Sequence, residues 1–214
     1  MLSLLPSRCT NCGAAGPSPC AKCHADLVVP PPAADGIRSA LYYEGVAREL
    51  VARLKYRNHR DSLWFLAGLV AALVDQAEIE VVTWVPTTAR HRRERGFDHG
   101  EMLARAVAKR LRKPARRLLT RPLDDPQTGR NKAQRAIGPT LHARPAARGR
   151  RVLVVDDVTT TGVTLANAAR QLERAGAIEV VKATAGRTPL GRLRVGNFGN
   201  NASIAGNAQV LVVR

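Results

Sequence analysis

Two hydrophobic patterns alternate along most of this chain of 214 residues. Short runs rich in β-branched residues, such as Val152–Val155, are typical of strands that are buried on both faces of a parallel sheet. Elsewhere apolar residues recur at helical spacing, as at Leu165, Ala169 and Leu172, which is typical of an amphipathic helix. This alternation predicts an α/β fold with a parallel sheet.

The same patterns set the bounds of the predicted elements. Strands are predicted over Ala40–Tyr43, Ile79–Val85, Ala115–Leu119, Val152–Val155 and Ile178–Ala185. Helices are predicted over Val46–Leu54, Leu63–Val74 and His99–Leu111, and from Leu165 to a stop at Gly176. Residues 120–150 lack hydrophobic periodicity, which is typical of a functional lid or of disorder.

A proline-rich linker divides the chain into two predicted domains. Residues 30–36 have the sequence PPPAADG, which indicates a stiff connection. We therefore expect a small N-terminal domain over residues 1–35 and an α/β domain over residues 36–214. Within the second domain, residues 120–150 are expected to form a mobile hood. The Gly- and Asn-rich tail 191–214 is either an added edge strand or a flexible loop.

All four cysteines lie near the N-terminus in the spacing C-x2-C-x7-C-x2-C. They are Cys9, Cys12, Cys20 and Cys23. Two such turns can present four thiolates to one tetrahedral ion, which predicts a structural Zn2+ site in a zinc ribbon. A redox pair or plain disulfides are the alternatives, and stable disulfides are disfavoured in a cytosolic chain.

The chain is strongly basic, with a formal net charge of +17 and a sequence pI of about 11.2. This charge predicts attraction to polyanions, whether nucleic acid or phosphorylated small molecules. The alternative explanation for the charge is a use of arginine in place of lysine that reflects only the composition of the genome. The few aromatic residues give no evident stacking platform for single strands. We find no adequate signal peptide and no apolar run of membrane-spanning length, so we expect a cytoplasmic protein without a membrane partner.

The clearest chemistry follows the predicted strand Val152–Val155. Asp156 and Asp157 come directly after it. The predicted phosphate-binding turn then comprises Val158, Thr159, Thr160, Thr161, Gly162 and Thr164. A loop that opens a helix at the carboxyl end of a parallel strand offers amide groups and the positive end of the helix dipole to a phosphate. Adjacent carboxylates repel each other, so a polyol, a metal or a basic group is expected to face them; a simple loop cap is the alternative.

Two other motifs can be excluded. The sequence has no G-x-x-x-x-G-K-[ST] motif, so it lacks an ordinary nucleotide-triphosphate loop. The run LVVDD also resembles the first strand of a response-regulator receiver, but no aspartate follows Asp157 to accept a phosphoryl group.

A second strand end is predicted to lie at the same edge of the sheet. The strand Ile79–Val85 is followed by Pro86, Thr87 and Thr88, and then by an arginine-rich loop. That loop is either a solvated charged surface or a phosphate-binding segment. Asp98 and Glu101 have the spacing of a capping box for the helix that begins near His99.

The sequence VVDDVTTTG followed by a helix resembles the phosphoribosyl-pyrophosphate loop of type I phosphoribosyltransferases. The resemblance implies the type I phosphoribosyltransferase fold, which has a parallel-sheet, Rossmann-like core and a mobile hood. It also implies that the two acids hold the ribose 2′- and 3′-hydroxyls and that the Thr/Gly turn holds the 5′-phosphate. It also implies Mg2+ as the ion bound together with phosphoribosyl pyrophosphate.

The order of motifs resembles the ComF family of competence-related proteins, in which a phosphoribosyltransferase domain follows a zinc ribbon. The segments that carry this resemblance are the four cysteines, Tyr43-Glu44-Gly45, Leu54-Lys55-Tyr56-Arg57, Val85-Pro86, Arg95-Gly96-Phe97, Gln127-Thr128-Gly129 and VDDVTTTGVTL. It implies that Lys55 and the turn after Pro86 lie on the pyrophosphate side, and that Lys132 and Arg135 reach the substrate from the hood. Asp98-His99 stands where the family usually has Asn-Gln. This difference lies on the side of the site that would bind the second substrate.

Two functions are compatible with these observations. The first is phosphoribosyl transfer from phosphoribosyl pyrophosphate to an unidentified nucleobase acceptor, with Asp156, Asp157, Lys55 and Arg135 as catalytic residues. The second is a non-catalytic protein that binds single-stranded DNA or DNA-uptake proteins. Assembly into a homo-oligomer is open in both cases.

Overall fold

The computed structural model describes residues 8–54, 60–88, 92–93, 96–122 and 139–189. In chain order, its strands are β1 (Ile37–Tyr42), β2 (Val81–Trp84), β3 (Leu119–Thr120), β4 (His142–Ala143), β5 (Arg151–Thr159) and β6 (Glu179–Arg187). Its α-helices are α1 (Ala21–Ala25), α2 (Gly45–Arg53), α3 (Arg60–Ala72), α4 (His99–Arg110) and α5 (Val163–Arg174). Single 3-10 turns cover Gln76–Glu78 and Pro145–Ala147.

Four strands form one parallel sheet in the order β1-β6-β5-β2. The strand that ends in the acidic motif, β5, therefore lies inside the sheet between β6 and β2. A parallel strand in this position is buried on both faces, which explains the continuous β-branched run at its start. The predicted α/β fold class is confirmed.

Side chains of β5 alternate between two apolar layers. Val152 and Val154 pack in a cluster with Leu165 and Leu172 of α5. Leu153 and Val155 belong to the other cluster, which includes residues of α2, α3 and α4. The sheet is thus covered by helices on both faces, and a ligand can approach it only at the strand ends.

The predicted helices match the observed helices to within a few residues. Two predictions about strands need correction. The acids were expected after the strand, but β5 continues through Asp156 to Thr159 because Asp156, Val158 and Thr159 keep their register with the long neighbour β6. The predicted strand Ala115–Leu119 is reduced to a bridge between Ala115 and Val82, and β3 begins only at Leu119.

The end of the predicted hood is also more regular than expected. Residues 139–150 include β4, which pairs antiparallel with β3, and a 3-10 turn. Backbone pairing here does not need apolar periodicity, which explains why the sequence pattern missed it. Lys55, Lys132, Arg135 and the tail 191–214 lie outside the described residues.

The N-terminal cysteine segment packs against the sheet domain. The Tyr42 amide of the edge strand β1 donates a 2.8 Å hydrogen bond to the Val28 carbonyl. The Thr10 and Ser62 hydroxyls lie 3.0 Å apart, and Ser62 on α3 is buried. The buried Cys9 and Cys23 belong to the apolar cluster that covers one face of the sheet. In the described part of the chain, we find no helix with the length and apolar character needed to cross a membrane.

Candidate functional site

The turn between β5 and α5 lies at the carboxyl edge of the sheet. Gly162 is the N-cap residue of α5 and adopts a left-handed backbone with φ +75°. Because glycine has no side chain, no cap side chain accepts hydrogen bonds from the amides of the first turn. Thr160 and Thr161 are exposed, and the Thr160 hydroxyl lies 3.2 Å from the hydroxyl of Thr188. The helix start therefore offers amide donors and hydroxyl groups to an anion. Of the remaining predicted turn residues, Thr159 is buried and Thr164 is half-buried.

The two acids of the motif share a chain of hydrogen bonds. The Asp157 amide donates to Asp156 Oδ1 at 3.0 Å, and the Val158 amide donates to Asp157 Oδ1 at 2.7 Å. Desolvation raises the pKa of Asp156 well above its ordinary value of 3.8, and the negative charges of Asp157 and Asp98 add to this rise. A site that penalises its own carboxylate in this way is stabilised by a cation or by hydroxyl donors.

His99, the first residue of α4, contacts the same acidic pair. Its Nε2 atom lies 3.1 Å from Asp157 Oδ2, and the two side chains are only 13% and 18% exposed. The sequence pattern placed His99 at the start of a helix but did not predict this contact. The contact depends on the fold and not on a local pattern, because α4 begins beside the strand ends of β2 and β5.

Asp98 fixes the start of α4 and the end of β2 together. Its Oδ1 atom accepts the Glu101 amide at 3.2 Å, which is the predicted cap, while Oδ2 accepts the Thr87 amide at 3.1 Å. Pro86 is buried, and Thr87 and Thr88 are half-buried beside it. The structure thus brings the turn after β2 to the edge at which β5 ends. The predicted role of the Thr87 amide towards pyrophosphate would require Asp98 to release it.

An ion pair between the buried Arg187 and Asp35 lies behind the predicted phosphate-binding turn. Arg187, the last residue of β6, is 5% exposed, and its Nη2 atom lies 2.9 Å from each carboxylate oxygen of Asp35. Its Nε atom donates to the Ser39 hydroxyl at 3.1 Å. Gly162 lies directly against this pair, because a Cβ atom there would meet Asp35 Oδ2 at 3.0 Å and Ile37 Cδ1 at 2.9 Å. Nothing in the sequence pattern pointed to Asp35 or Arg187.

The four cysteines converge as their spacing predicted. Their sulfur atoms all lie within 4.8 Å of one another, and Cys12 and Cys20 are separated by 3.6 Å. Zinc–sulfur bonds of about 2.3 Å in a tetrahedron give sulfur–sulfur separations of about 3.8 Å, so the arrangement fits Zn2+.

Local hydrogen bonds and burial also suit a cation at this cluster. Burial raises the pKa of Cys9, but hydrogen bonds from backbone amides, including that of Cys20 at 3.4 Å, outweigh it and lower the pKa from 9.0 to about 6. For Cys23, the Asn11 amide lowers the pKa, but burial and the three other thiols raise it to about 12. Four thiolates in this space need a positive charge between them, and the donor set therefore suits Zn2+.

Comparison with known proteins places a family match on the second half of the fold. Residues 98–195 match the model of the phosphoribosyl transferase domain. No curated protein matches the chain. Among solved structures, the chain is similar to glutamine phosphoribosylpyrophosphate amidotransferase from B. subtilis, with 22% identity and a TM-score of 0.45 over 63% of this chain and 30% of that one. The chain thus spans less than a third of that protein.

Two smaller proteins are also similar to this chain. Purine phosphoribosyltransferase from Pyrococcus horikoshii has 18% identity and a TM-score of 0.37, over 65% of this chain and 83% of that one. Orotate phosphoribosyltransferase from Mycobacterium tuberculosis has 18% identity and a TM-score of 0.35, over 74% of this chain and 75% of that one. Together, the parallel sheet, the acidic motif and the family match show that a phosphoribosyl transferase domain is present in this chain.

Proposed function

We propose that this protein binds phosphoribosyl pyrophosphate with Mg2+ and transfers its phosphoribosyl group to an acceptor. The observation that carries the proposal is the acidic pair Asp156–Asp157 at the end of β5, next to a helix start that no side chain caps. Carboxylates suit ribose hydroxyls and a hard cation, and the helix start suits a phosphate. The Mg2+ complex of phosphoribosyl pyrophosphate contains the ribose hydroxyls, the cation and the phosphate together.

In this proposal Asp156 and Asp157 hold the ribose hydroxyls and the ion. Asp156 gains most from a bound cation, because its desolvated carboxylate is disfavoured in the free protein. When bound, Mg2+ would supply charge neutralisation on the departing pyrophosphate. His99 would fix the orientation of the Asp157 carboxylate through its 3.1 Å contact.

The 5′-phosphate would bind at the start of α5. Residues 158–164 would supply backbone amides, and Thr160 and Thr161 would supply exposed hydroxyl groups. Lys55, Arg135 and the turn Pro86-Thr87-Thr88 would stabilise the charge that grows on pyrophosphate. The hood 120–150 would exclude water from the reacting carbon. The roles of Lys55, Arg135 and the hood follow from the family resemblance.

The link to DNA uptake forms the finer part of the proposal. A cysteine cluster that precedes a phosphoribosyl transferase domain is the arrangement that resembles the ComF family. A second candidate function is therefore a non-catalytic protein that binds single-stranded DNA or DNA-processing partners. The net charge of +17 favours it.

Calorimetric titration tests the proposal directly. Phosphoribosyl pyrophosphate is titrated with Mg2+ into the zinc-loaded wild type and into the variant Asp156→Asn/Asp157→Asn. We expect micromolar binding by the wild type and at least about a hundredfold weaker binding by the variant, because each lost charge-assisted hydrogen bond costs about 1.5–3 kcal/mol.

A matched control removes two carboxylates elsewhere. Glu173 and Glu179 are exposed, so Glu173→Gln/Glu179→Gln changes the net charge equally and should bind like the wild type. If the folded wild type does not bind phosphoribosyl pyrophosphate, the transferase proposal is wrong. If binding survives in the acid variant, the site lies elsewhere.

A further inference from the structure

A groove of about 340 Å3 lies at the opposite end of the sheet from the acidic motif. Val81, the first residue of β2, lines it, and so does Arg150, which directly precedes β5. Both residues lie at the amino ends of parallel strands. The nine residues of β5, at roughly 3.3 Å each, separate this groove from the turn that begins α5.

Four arginines converge on this groove from three parts of the chain. Arg116 and Arg117 follow Pro114, Arg144 follows β4, and Arg150 precedes β5. Within the described ranges, none of their four guanidinium groups forms an ion pair or a hydrogen bond. The nearby Glu80 does not neutralise them, because its carboxylate accepts the Arg151 amide at 2.8 Å and lies 3.9 Å from Arg151 Nε.

The groove combines this charge with an apolar floor. The apolar part of the lining consists of Val81, Pro114, Leu118 and Ala146. Pro114 and Ala146 are exposed, whereas Val81 and Leu118 are almost fully buried. Guanidinium groups bind phosphate oxygens in pairs, and they keep their charge at every physiological pH. An apolar floor beneath them offers a contact for the part of a ligand that carries no phosphate.

We propose that this groove binds a nucleoside di- or triphosphate, with the phosphate chain on the four arginines and the nucleoside on the apolar floor. The volume lies near the lower end of the range for small-molecule pockets, which suits one compact ligand. No aromatic side chain lines the groove, whereas sites for single-stranded nucleic acid usually stack bases on aromatic rings. The groove shares no residue with the acidic pair, with the turn that begins α5 or with the turn after β2. Arg144, Ala146 and Arg150 fall within the predicted hood 120–150, but they belong to its last part, at the opposite end of the sheet from the acidic motif.

The test uses ATP as the probe, in buffer without added Mg2+. Under these conditions ATP is not expected to bind at the proposed transferase site, because Asp156 and Asp157 require a cation to accept a phosphorylated ligand. Calorimetry on the zinc-loaded chain of 214 residues should give one ATP site, and Arg116→Ala/Arg150→Ala should weaken binding at this site at least about tenfold. The control Arg48→Ala/Arg170→Ala removes two exposed arginines that do not line the groove and should leave the affinity unchanged. Asp156→Asn/Asp157→Asn should also leave it unchanged.

Three results would overturn the proposal. The first is that the folded wild type does not bind ATP. This result includes the case in which the wild type binds a thymidine oligonucleotide and the groove variant loses only that affinity. The second is equal loss in the groove variant and in the control, which would show an effect of net charge alone. The third is inorganic tripolyphosphate binding as tightly as ATP, which would mean that the nucleoside is not recognised.

Discussion

His99 Nε2 lies 3.1 Å from Asp157 Oδ2 and joins the start of α4 to the acidic end of β5. The other oxygen of Asp157 accepts the Val158 amide at 2.7 Å, so both carboxylate oxygens are held in place. His99 therefore fixes the rotation of a carboxylate that would contact the ribose. It acts as a positioning residue in the proposed reaction.

Replacement of His99 should weaken binding of phosphoribosyl pyrophosphate. We expect His99→Ala to raise the Kd for the Mg2+ complex about tenfold, because a hydrogen bond to a charged group contributes about 1.5–3 kcal/mol. His99→Gln keeps a donor near the same place and should recover most of the affinity. His142→Ala, at an exposed position on β4, is the control. Calorimetry measures all four proteins, and equal Kd values for wild type and His99→Ala would refute the positioning role.

Neutralising Asp156 should stabilise the free protein. Its raised pKa means that the folded state keeps a proton which the unfolded state releases near pH 3.8. Above that pH the wild type loses stability progressively, until the pH passes the raised pKa. Asp156→Asn removes this loss, so its free energy of unfolding should exceed that of the wild type by an amount that grows with pH. Denaturant titrations at several pH values, without Mg2+, measure the difference, and a less stable variant at neutral pH would contradict it.

Breaking the pair between Arg187 and Asp35 should be costly. Asp35→Ala leaves the guanidinium of Arg187, which is only 5% exposed, without its partner, and we expect a loss of about 3 kcal/mol in the free energy of unfolding. Glu78→Ala is the matched control, because Arg38 and Glu78 form an exposed pair at 3.2 Å whose loss should cost no more than about 1 kcal/mol. Urea denaturation measures both. Equal losses would show that burial adds nothing to the Arg187 contact.

Gly162→Ala should destabilise the turn that begins α5 more than a strained backbone alone explains. A left-handed alanine costs about 1–2 kcal/mol, and overpacking against Ile37 and Asp35 adds at least about 1 kcal/mol. Gly149→Ala has a similar φ of +72° but meets no atom within 4 Å, so it should show only the backbone cost. Thermal unfolding compares the two variants. If Gly149→Ala were equally destabilised, the contact behind Gly162 would have no energetic role.

Removal of Zn2+ should destabilise the whole described fold. Cys9 and Cys23 belong to the same apolar cluster as α2, α3 and α4, so the cysteine cluster and one face of the sheet share a core. We expect a chelator to lower Tm by at least about 5 °C in a single transition, since 1 kcal/mol corresponds to about 2–4 °C at this chain length. Calorimetry with metal analysis measures it. A separate low-temperature transition for the cysteine segment would contradict the shared core.

The sequence was informative wherever a local pattern determines structure. The β-branched run predicted β5, helical spacing predicted α5, and the pair Asp98 and Glu101 predicted the start of α4. The cysteine spacing likewise predicted the four-sulfur cluster. Each of these depends on residues close together in the chain.

Contacts between distant residues could not be predicted in this way. Asp35 and Arg187 are 152 positions apart, and only the order of strands brings β6 beside the linker that precedes β1. His99 meets Asp157 for the same reason. The extension of β5 through the acids depends on pairing with β6, which no single segment encodes. The candidate site therefore has a first layer visible in the sequence and a supporting layer that requires the fold.

The family match covers only two of the four strands of the parallel sheet. Residues 98–195 include β5 and β6 but not β1 or β2, which are their outer neighbours in the sheet. They also omit α2 and α3, which cover one face. An excised 98–195 fragment would expose both edges of its sheet and half of its core, a situation that favours aggregation over folding. The segment that matches the family model is thus smaller than the sheet to which it belongs.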